Sequence, residues 1–362
     1  MITEAERALD EALYDAIHRF RPFDHLHPVN RSEEKEKFLL SWKNGEHYQP
    51  QFEYPSLPTS LHQAQKKLEA MDFGGAAYSR VLGHTRDEFL DLIRLVSERA
   101  TDEFADLAVR TFGHPDAALV AEAKRMLKKD TFFRRPIEVG VKALAESLRL
   151  KIREERIDGW EITEDPLCID MAEVDAAHHK IRLPSGLLLS KKGMRRLRYR
   201  LVQVHLYRAL NGERQPLKML RVGLDGSWAQ EEALARAHEI KMGFDDQVLA
   251  HFYAGKLWAC ALAMRHSFYG VFSRLENFFD LETAYNLTES VKRGLLNTAQ
   301  PGGWIREHTC FLEQKKISNL NTEDTELLYL GRISVHHLAL IKELISTQAL
   351  IPPAFLPKSL LP

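Results

Sequence analysis

The chain has 362 residues, 44% apolar and 28% charged. This is ordinary globular composition, with enough apolar material for a sizeable core, and it argues against disorder, collagen and pure coiled coil. Lys plus Arg number 50 against 51 Asp plus Glu, a balance that disfavours a strongly basic nucleic-acid binder and an acidic halophile-type surface.

Helix signals dominate in chain order. Thr3 and Glu6 form a capping box ahead of Leu9, Leu13 and Ile17 at helical spacing. Residues 21–62, rich in proline and polar residues with isolated aromatics, predict an extended segment laid over a surface. Thr85 and Glu88 form a second box before FLDLIRLVSERATDEFADLAVRTF. Periodic segments cover Ala118–Leu127 and Pro136–Arg153. Gly159–Thr163, Leu167–Met171 and Lys180–Leu183 are short strand signals, followed by a helix beginning near Ser190. Ser227 and Gln230 form a third box, and Gln247–Arg274 and Leu281–Leu296 are again periodic. The tail ALIPPAFLPKSLLP is apolar and proline-rich, which predicts docking in an extended form.

Three separated cysteines, Cys168, Cys260 and Cys310, form no CxxC pair and fit a reduced, cytoplasmic compartment. The N-terminus is acidic and amphipathic, unlike a secretory signal. The longest apolar runs, such as Leu257–Met264, fall far short of a bilayer span, so no membrane partner is expected. No phosphate loop, nucleophile elbow or HExxH helix is present. The doublets His25/His27, His178/His179 and His336/His337 place neighbouring side chains in different directions, which rarely suits one ion. The basic run KKGMRRLRYR, residues 191–200, reads as a solvated helix face or, alternatively, as a surface for an acidic partner.

The stretch VHLYRALNGERQPLKMLRVGLDGSWAQEEALARAHE, residues 204–239, resembles the heart of the tyrosine carboxypeptidase family of metallopeptidases. That family includes the microtubule-associated tyrosine carboxypeptidases and bacterial flavohaemoglobin expression-modulating QEGLA motif proteins. HPVNRSEEKEKFL with PQFEY, GGWIREHTCFLEQ and LLYLGRISVHHLALIKELISTQALIPPAFLP extend the resemblance over almost the whole chain. It implies an α+β, mostly helical fold: a metallopeptidase-like core with a small sheet over 151–362, and an N-terminal helical extension over 1–150.

The resemblance also implies zinc held by two histidines and a glutamate, with the glutamate of HExxxH as general base. Here RLVQVH stands where HExxxH is expected. His205 matches the second zinc histidine and Glu232 the glutamate ligand of the QEGLA element. Arg200 and Leu201 take the places of the first histidine and the general base, so no catalytic residue of the family pair is retained. A guanidinium has no lone pair to give a metal, and Leu201 accepts no proton. Zinc is therefore expected to be absent or weakly held. An Arg200–Glu232 ion pair beside His205 is the expected replacement. Residues five apart on an ideal helix sit about 140° apart, so the segment carrying Arg200 and His205 must be irregular.

Arg208, Gln215 and Arg306 stand as candidate substrate-binding donors, with Asn211-Gly212 as a helix cap and turn. The expected function is a divergent member without family-type zinc hydrolysis, keeping a cleft for a peptide or protein C-terminus. One alternative is an active metallocarboxypeptidase rebuilt on His205, Glu232 and a distant ligand such as His308. The other is an interaction protein using the basic 191–200 helix.

Overall fold

The computed structural model describes residues 2–128, 138–166, 168 and 172–360. Helices account for most of it, and the strands are few and short. The fold is α+β and mostly helical.

The first helix, Glu4–Ile17, starts on the Thr3–Glu6 capping box. Its inner face carries a buried acid, Asp10. Asp10 accepts from Tyr78 Oη at 2.5 Å and from the Lys218 amide at 2.5 Å. Burial raises the Asp10 pKa against those hydrogen bonds, and together they tie the N-terminal helix to the loop before Met219.

The segment 21–62 departs from the expected extended path. It holds a short 3-10 turn at Pro22–Leu26 and the helix Arg31–Lys43, and a further helix begins at Thr59. Only the stretch between the helices is extended. It is held by Glu34, which accepts from Tyr48 Oη at 2.8 Å and the Gln51 amide at 2.7 Å. The polar composition hid a helix whose one buried apolar residue is Phe38, with Trp42 packed beside it against Phe272.

Thr85 and Glu88 also differ from expectation. They lie inside a continuous helix, Ala77–Ser97, whose inner face buries Leu82, Phe89 and Ile93. The periodic run 247–274 divides into Gln247–Ala263 and Phe268–Leu275, the second capped by Ser267. The helix expected from Pro136 runs over Val141–Glu154; its first two expected residues lie outside the described residues. The strand expected at Leu167–Met171 lies there too, apart from Cys168. Three strands form a small sheet. Lys180–Pro184 is central, parallel to Glu161–Asp165 and antiparallel to Glu173–Asp175. Ile181, fully buried, faces Ile162 and Val174 in register.

Two apolar cores result. One joins Leu13, Phe89, Leu144 and Ile181 to Leu206, Leu234 and Leu330. The other joins Phe38 and Leu119 to Cys260, Phe272 and Tyr285. Each draws on residues from both sides of position 150. No described helix is long and apolar enough to cross a membrane.

The tail docks as expected, without regular structure from Ile351 to Pro357. Side-chain amides hold it. Asn211 Oδ1 accepts from Ala354 and Phe355 amides at 2.9 and 3.0 Å, and Gln215 Oε1 accepts from the Ile351 amide at 3.1 Å. Gln203 Oε1 takes the Lys358 amide at 3.1 Å.

Candidate functional site

Two helices build the site. The first runs from Ser190, which caps it, through Lys191–Tyr199. It continues as a π-helical segment, Arg200–Leu206, before returning to α-helix at Tyr207. Hydrogen bonds spanning five residues stack positions five apart. This is the irregularity expected from the spacing, and it turns Arg200 and His205 toward the same neighbour.

That neighbour is the helix Ser227–Lys241. It is not capped by Ser227, as the third box suggested. Gly226, at φ +70°, occupies the cap position, and Gln230 Oε1 instead accepts from the Val335 amide at 3.2 Å. The amides at its start are taken by Thr85 Oγ1, 3.0 Å from the Asp225 amide, and Glu88 Oε2, 2.7 Å from the Gly226 amide.

Arg200 is 1% exposed. Its Nη2 lies 2.5 Å from Glu232 Oε2 and its Nη1 2.8 Å from Glu239 Oε1. Glu239 stands seven residues beyond Glu232, two turns along one helix face, so one guanidinium bridges both acids. Arg196 adds a second contact to Glu239 Oε1 at 2.7 Å, and Tyr253 Oη lies 3.2 Å from Arg200 Nη1. Burial works against the charge on Arg200, but Glu232, Tyr253 and Glu239 outweigh it and raise its pKa. Burial likewise opposes the charges on Glu232 and Glu239, and Arg200 leads in holding both carboxyls below the ordinary range.

His205, 8% exposed in its side chain, pairs with Glu231 rather than Glu232: its Nδ1 lies 2.8 Å from Glu231 Oε1. Arg208 donates to the other oxygen of Glu231. Burial pushes the Glu231 pKa up, but Arg208, Arg332 and His205 bring it down to about 2. His205 Nε2 points back toward Glu232, 3.9 Å from its Oε1.

These groups open onto a cavity of about 490 Å³ lined by His205, Glu231 and Glu232. Phe23, Trp228 and Trp304 form an aromatic wall, and Lys256, Arg306 and Arg332 are among its cationic members, Arg332 Nε lying 4.0 Å from Glu231 Oε1. Lys256 holds Glu307 at 2.6 Å. Arg306 stacks its guanidinium 4.2 Å from the centre of the Phe23 ring, and its buried Nη1 has no hydrogen-bond partner among the described residues.

Of the three expected substrate-binding donors, only Arg306 lines the cavity. Arg208 is fully buried, and its remaining nitrogens donate to the carbonyls of Leu328, Gly331 and Ile333 at 2.7–3.1 Å. Gln215 spends its amide on Ile351 and Leu330. Both are framework donors. Asn211 and Gly212 are not a cap and turn either: they lie within Tyr207–Glu213, where a Cβ on Gly212 would stand 2.5 Å from Leu220 O.

The basic run 191–200 is largely consumed. Lys192 pairs with Asp246 at 2.9 Å, Arg198 donates to Ser147 at 2.8 Å, and Arg196 and Arg200 face inward. Lys191 and Arg195 remain on the exposed face. Sequence reasoning missed Glu231, Lys256 and Tyr253. Glu231 alone carried a signal, as the neighbour of a matched ligand.

Zinc does not fit the donor set at this position. Arg200 brings a cation onto Glu232, leaving only His205 Nε2 and Glu232 Oε1 facing one another. Among the described residues the one group of three potential ligands with converging donor atoms is Asp225, just before the Glu232 helix, with His336 and His337 of the 3-10 turn Val335–His337. There both imidazoles reach one carboxylate, against the expectation that neighbouring histidines diverge. Asp225 takes His336 Nε2 at 2.9 Å and His337 Nε2 at 3.0 Å. His337 Nδ1 accepts the Ser334 amide at 3.1 Å, so its proton is on Nε2. Ligation through that Nε2 would set two donors against each other. His308, the distant third ligand considered above, is buried and belongs to no such group.

A family model described as microtubule-associated tyrosine carboxypeptidase matches residues 36–361. The chain belongs to that family. No curated protein matches it. Within the tyrosine carboxypeptidase family, then, this chain carries an arginine-bridged acidic helix beside an aromatic and cationic cavity.

Proposed function

We propose that this chain is a divergent tyrosine carboxypeptidase-family protein. In this reading its metallopeptidase-like core, residues 151–362, holds the C-terminus of a peptide or protein without family-type zinc hydrolysis. The observation that carries the reading is the buried Arg200 guanidinium, whose Nη2 sits 2.5 Å from the carboxylate at the zinc-ligand position. A permanently charged donor on that carboxylate opposes a divalent cation, and with Leu201 in place of the family base no retained residue activates water there. Arg306 supplies the carboxylate recognition. Its unpaired Nη1 is a buried donor that a carboxylate would satisfy with a charge-assisted bond.

The test is binding of a short peptide ending in phenylalanine, compared with its C-terminal amide, followed by fluorescence anisotropy. The free acid should bind at least tenfold tighter, and Arg306→Ala should remove that preference. Zinc-dependent release of C-terminal residues, abolished by His205→Ala, would overturn the reading.

A further inference from the structure

Phe23 lies on neither of the two helices that build the site. It sits on the short turn Pro22–Leu26, ahead of residue 36, where the match to the family begins, and yet it lines the cavity. Ion pairs hold the turn in place. Arg21 bonds Asp24 at 2.9 Å and reaches Glu173 and Asp175 on the small sheet. Arg182, on the central strand, bonds Asp24 at 3.4 Å. Two indoles then fix the plane of the Phe23 ring. Trp228 crosses it at 84° with centroids 4.7 Å apart, and Trp304 at 64° and 5.6 Å.

The Arg306 guanidinium lies over this ring, 4.2 Å from its centre, well inside cation–π range. Trp304 is farther from it, at 5.8 Å. In its own plane the guanidinium is weakly held. Among the described residues Nη1 has no partner, and Nη2 stands 3.9 Å from Glu307 Oε1, beyond hydrogen-bond length. Glu307 is engaged by Lys256 instead, at 2.6 Å. Stacking on a face fixes the plane of a guanidinium and leaves its edge nitrogens open to an acceptor in that plane. We infer that Phe23 is a positioning residue: its face sets the plane of Arg306 and so aims Nη1 at a chain-end carboxylate. This rests on the carboxylate reading of Arg306 above, and adds to it a determinant of free-acid preference carried by the N-terminal turn. A ring that only filled wall would affect a free acid and its amide alike. A ring that orients Arg306 acts on the carboxylate alone.

The test is the affinity ratio between the phenylalanine-ending peptide and its C-terminal amide, read by fluorescence anisotropy on the full chain. Wild type, Phe23→Ala, Phe23→Leu and Phe23→Tyr are compared. Wild type should favour the acid at least tenfold. Phe23→Ala and Phe23→Leu should lower the ratio to about two- or threefold, the loss of one desolvated cation–π contact. Phe23→Tyr, which keeps the aromatic face, should preserve it. Leucine retains apolar bulk, so Phe23→Leu decides the matter if Phe23→Ala folds poorly. A ratio still near tenfold in Phe23→Leu overturns the positioning role and leaves the carboxylate reading standing. A ratio lost equally in Phe23→Tyr and Phe23→Leu also overturns it, because stacking is then not the cause. A wild-type ratio near one overturns the carboxylate reading and the positioning role with it.

Discussion

Arg200 and His205 address opposite oxygens of the same carboxylate. Arg200 Nη2 is 2.5 Å from Glu232 Oε2, and His205 Nε2 is 3.9 Å from Oε1. They can do so from positions five apart only because the helix between them is π-wound. The charge of Arg200 thus does for Glu232 and Glu239 what a bound cation would do, from within the chain.

Removing that charge should be costly. Arg200→Ala leaves Glu232 without its cation and Glu239 with Arg196 alone among its short contacts. Breaking a buried pair from one side typically costs about 3–5 kcal/mol. Urea unfolding of Arg200→Ala beside Arg196→Ala would measure it. The arginine at 200 should matter more, because Arg196 is 15% exposed and leaves Glu239 bridged. A loss at Arg200 of under about 1 kcal/mol would contradict the account.

Arg200→His should create what the wild type lacks. It removes the fixed charge and adds a lone pair beside His205 and Glu232, giving a histidine, histidine, glutamate set. After dialysis the variant is expected to retain about one equivalent of zinc and the wild type much less. Equal metal content in the two proteins would mean that Arg200 does not decide metal binding.

His238 predicts a pH dependence. It is 3% exposed and bonded through Nδ1 to Ser359 Oγ at 2.7 Å. Burial, aided by Lys241, lowers its pKa from 6.5 to about 4. The folded state therefore holds fewer protons than the unfolded state between those values. The stability contributed by the neutral ring is complete above pH 6.5 and is lost as pH falls toward 4. The loss should be about 3 kcal/mol at most. Denaturation midpoints of the wild type and His238→Gln across that window should converge toward the acid end. Parallel curves would show that the ring does not titrate there.

Gly212→Ala should destabilise by about 1–3 kcal/mol, as overpacking does. The new Cβ would meet Leu220 O at 2.5 Å and Arg221 Cα at 2.8 Å, both backbone atoms without freedom to swing aside. Differential scanning calorimetry would register the change; an unchanged Tm would require the Leu220 strand of chain to shift.

The sequence made the helical class, the first capping box and the Arg200–Glu232 pairing readable, because each depends on local spacing or on a charge that must be matched. The Thr85–Glu88 pair shows the limit. Its capping chemistry is real, but it is spent on the amides of Asp225 and Gly226, at the start of a helix far along the chain. Local spacing identifies a capping side chain and cannot say whose amides it caps. Glu239 shows the same limit. Its two-turn offset from Glu232 was visible, yet two carboxylates at that distance gave no hint that one buried guanidinium would draw them together. Arg208 and Gln215 carried donors suited to a ligand, and the backbone of the returning C-terminal segment claimed them instead.

That returning segment has a consequence for exchange. The amide protons of Ile351, Ala354, Phe355 and Lys358 lie in a stretch of mostly irregular chain, yet each is held by the side chain of Gln203 or Asn211, on the first site-bearing helix, or of Gln215, in the bend just after it. Their protection from solvent deuterium belongs to that segment and not to the tail. One of the anchors, Gln203, sits inside the π-wound turn. When that turn opens, the tail should lose its protection at the same rate, so the exchange clock of the last residues reads the motion of the site.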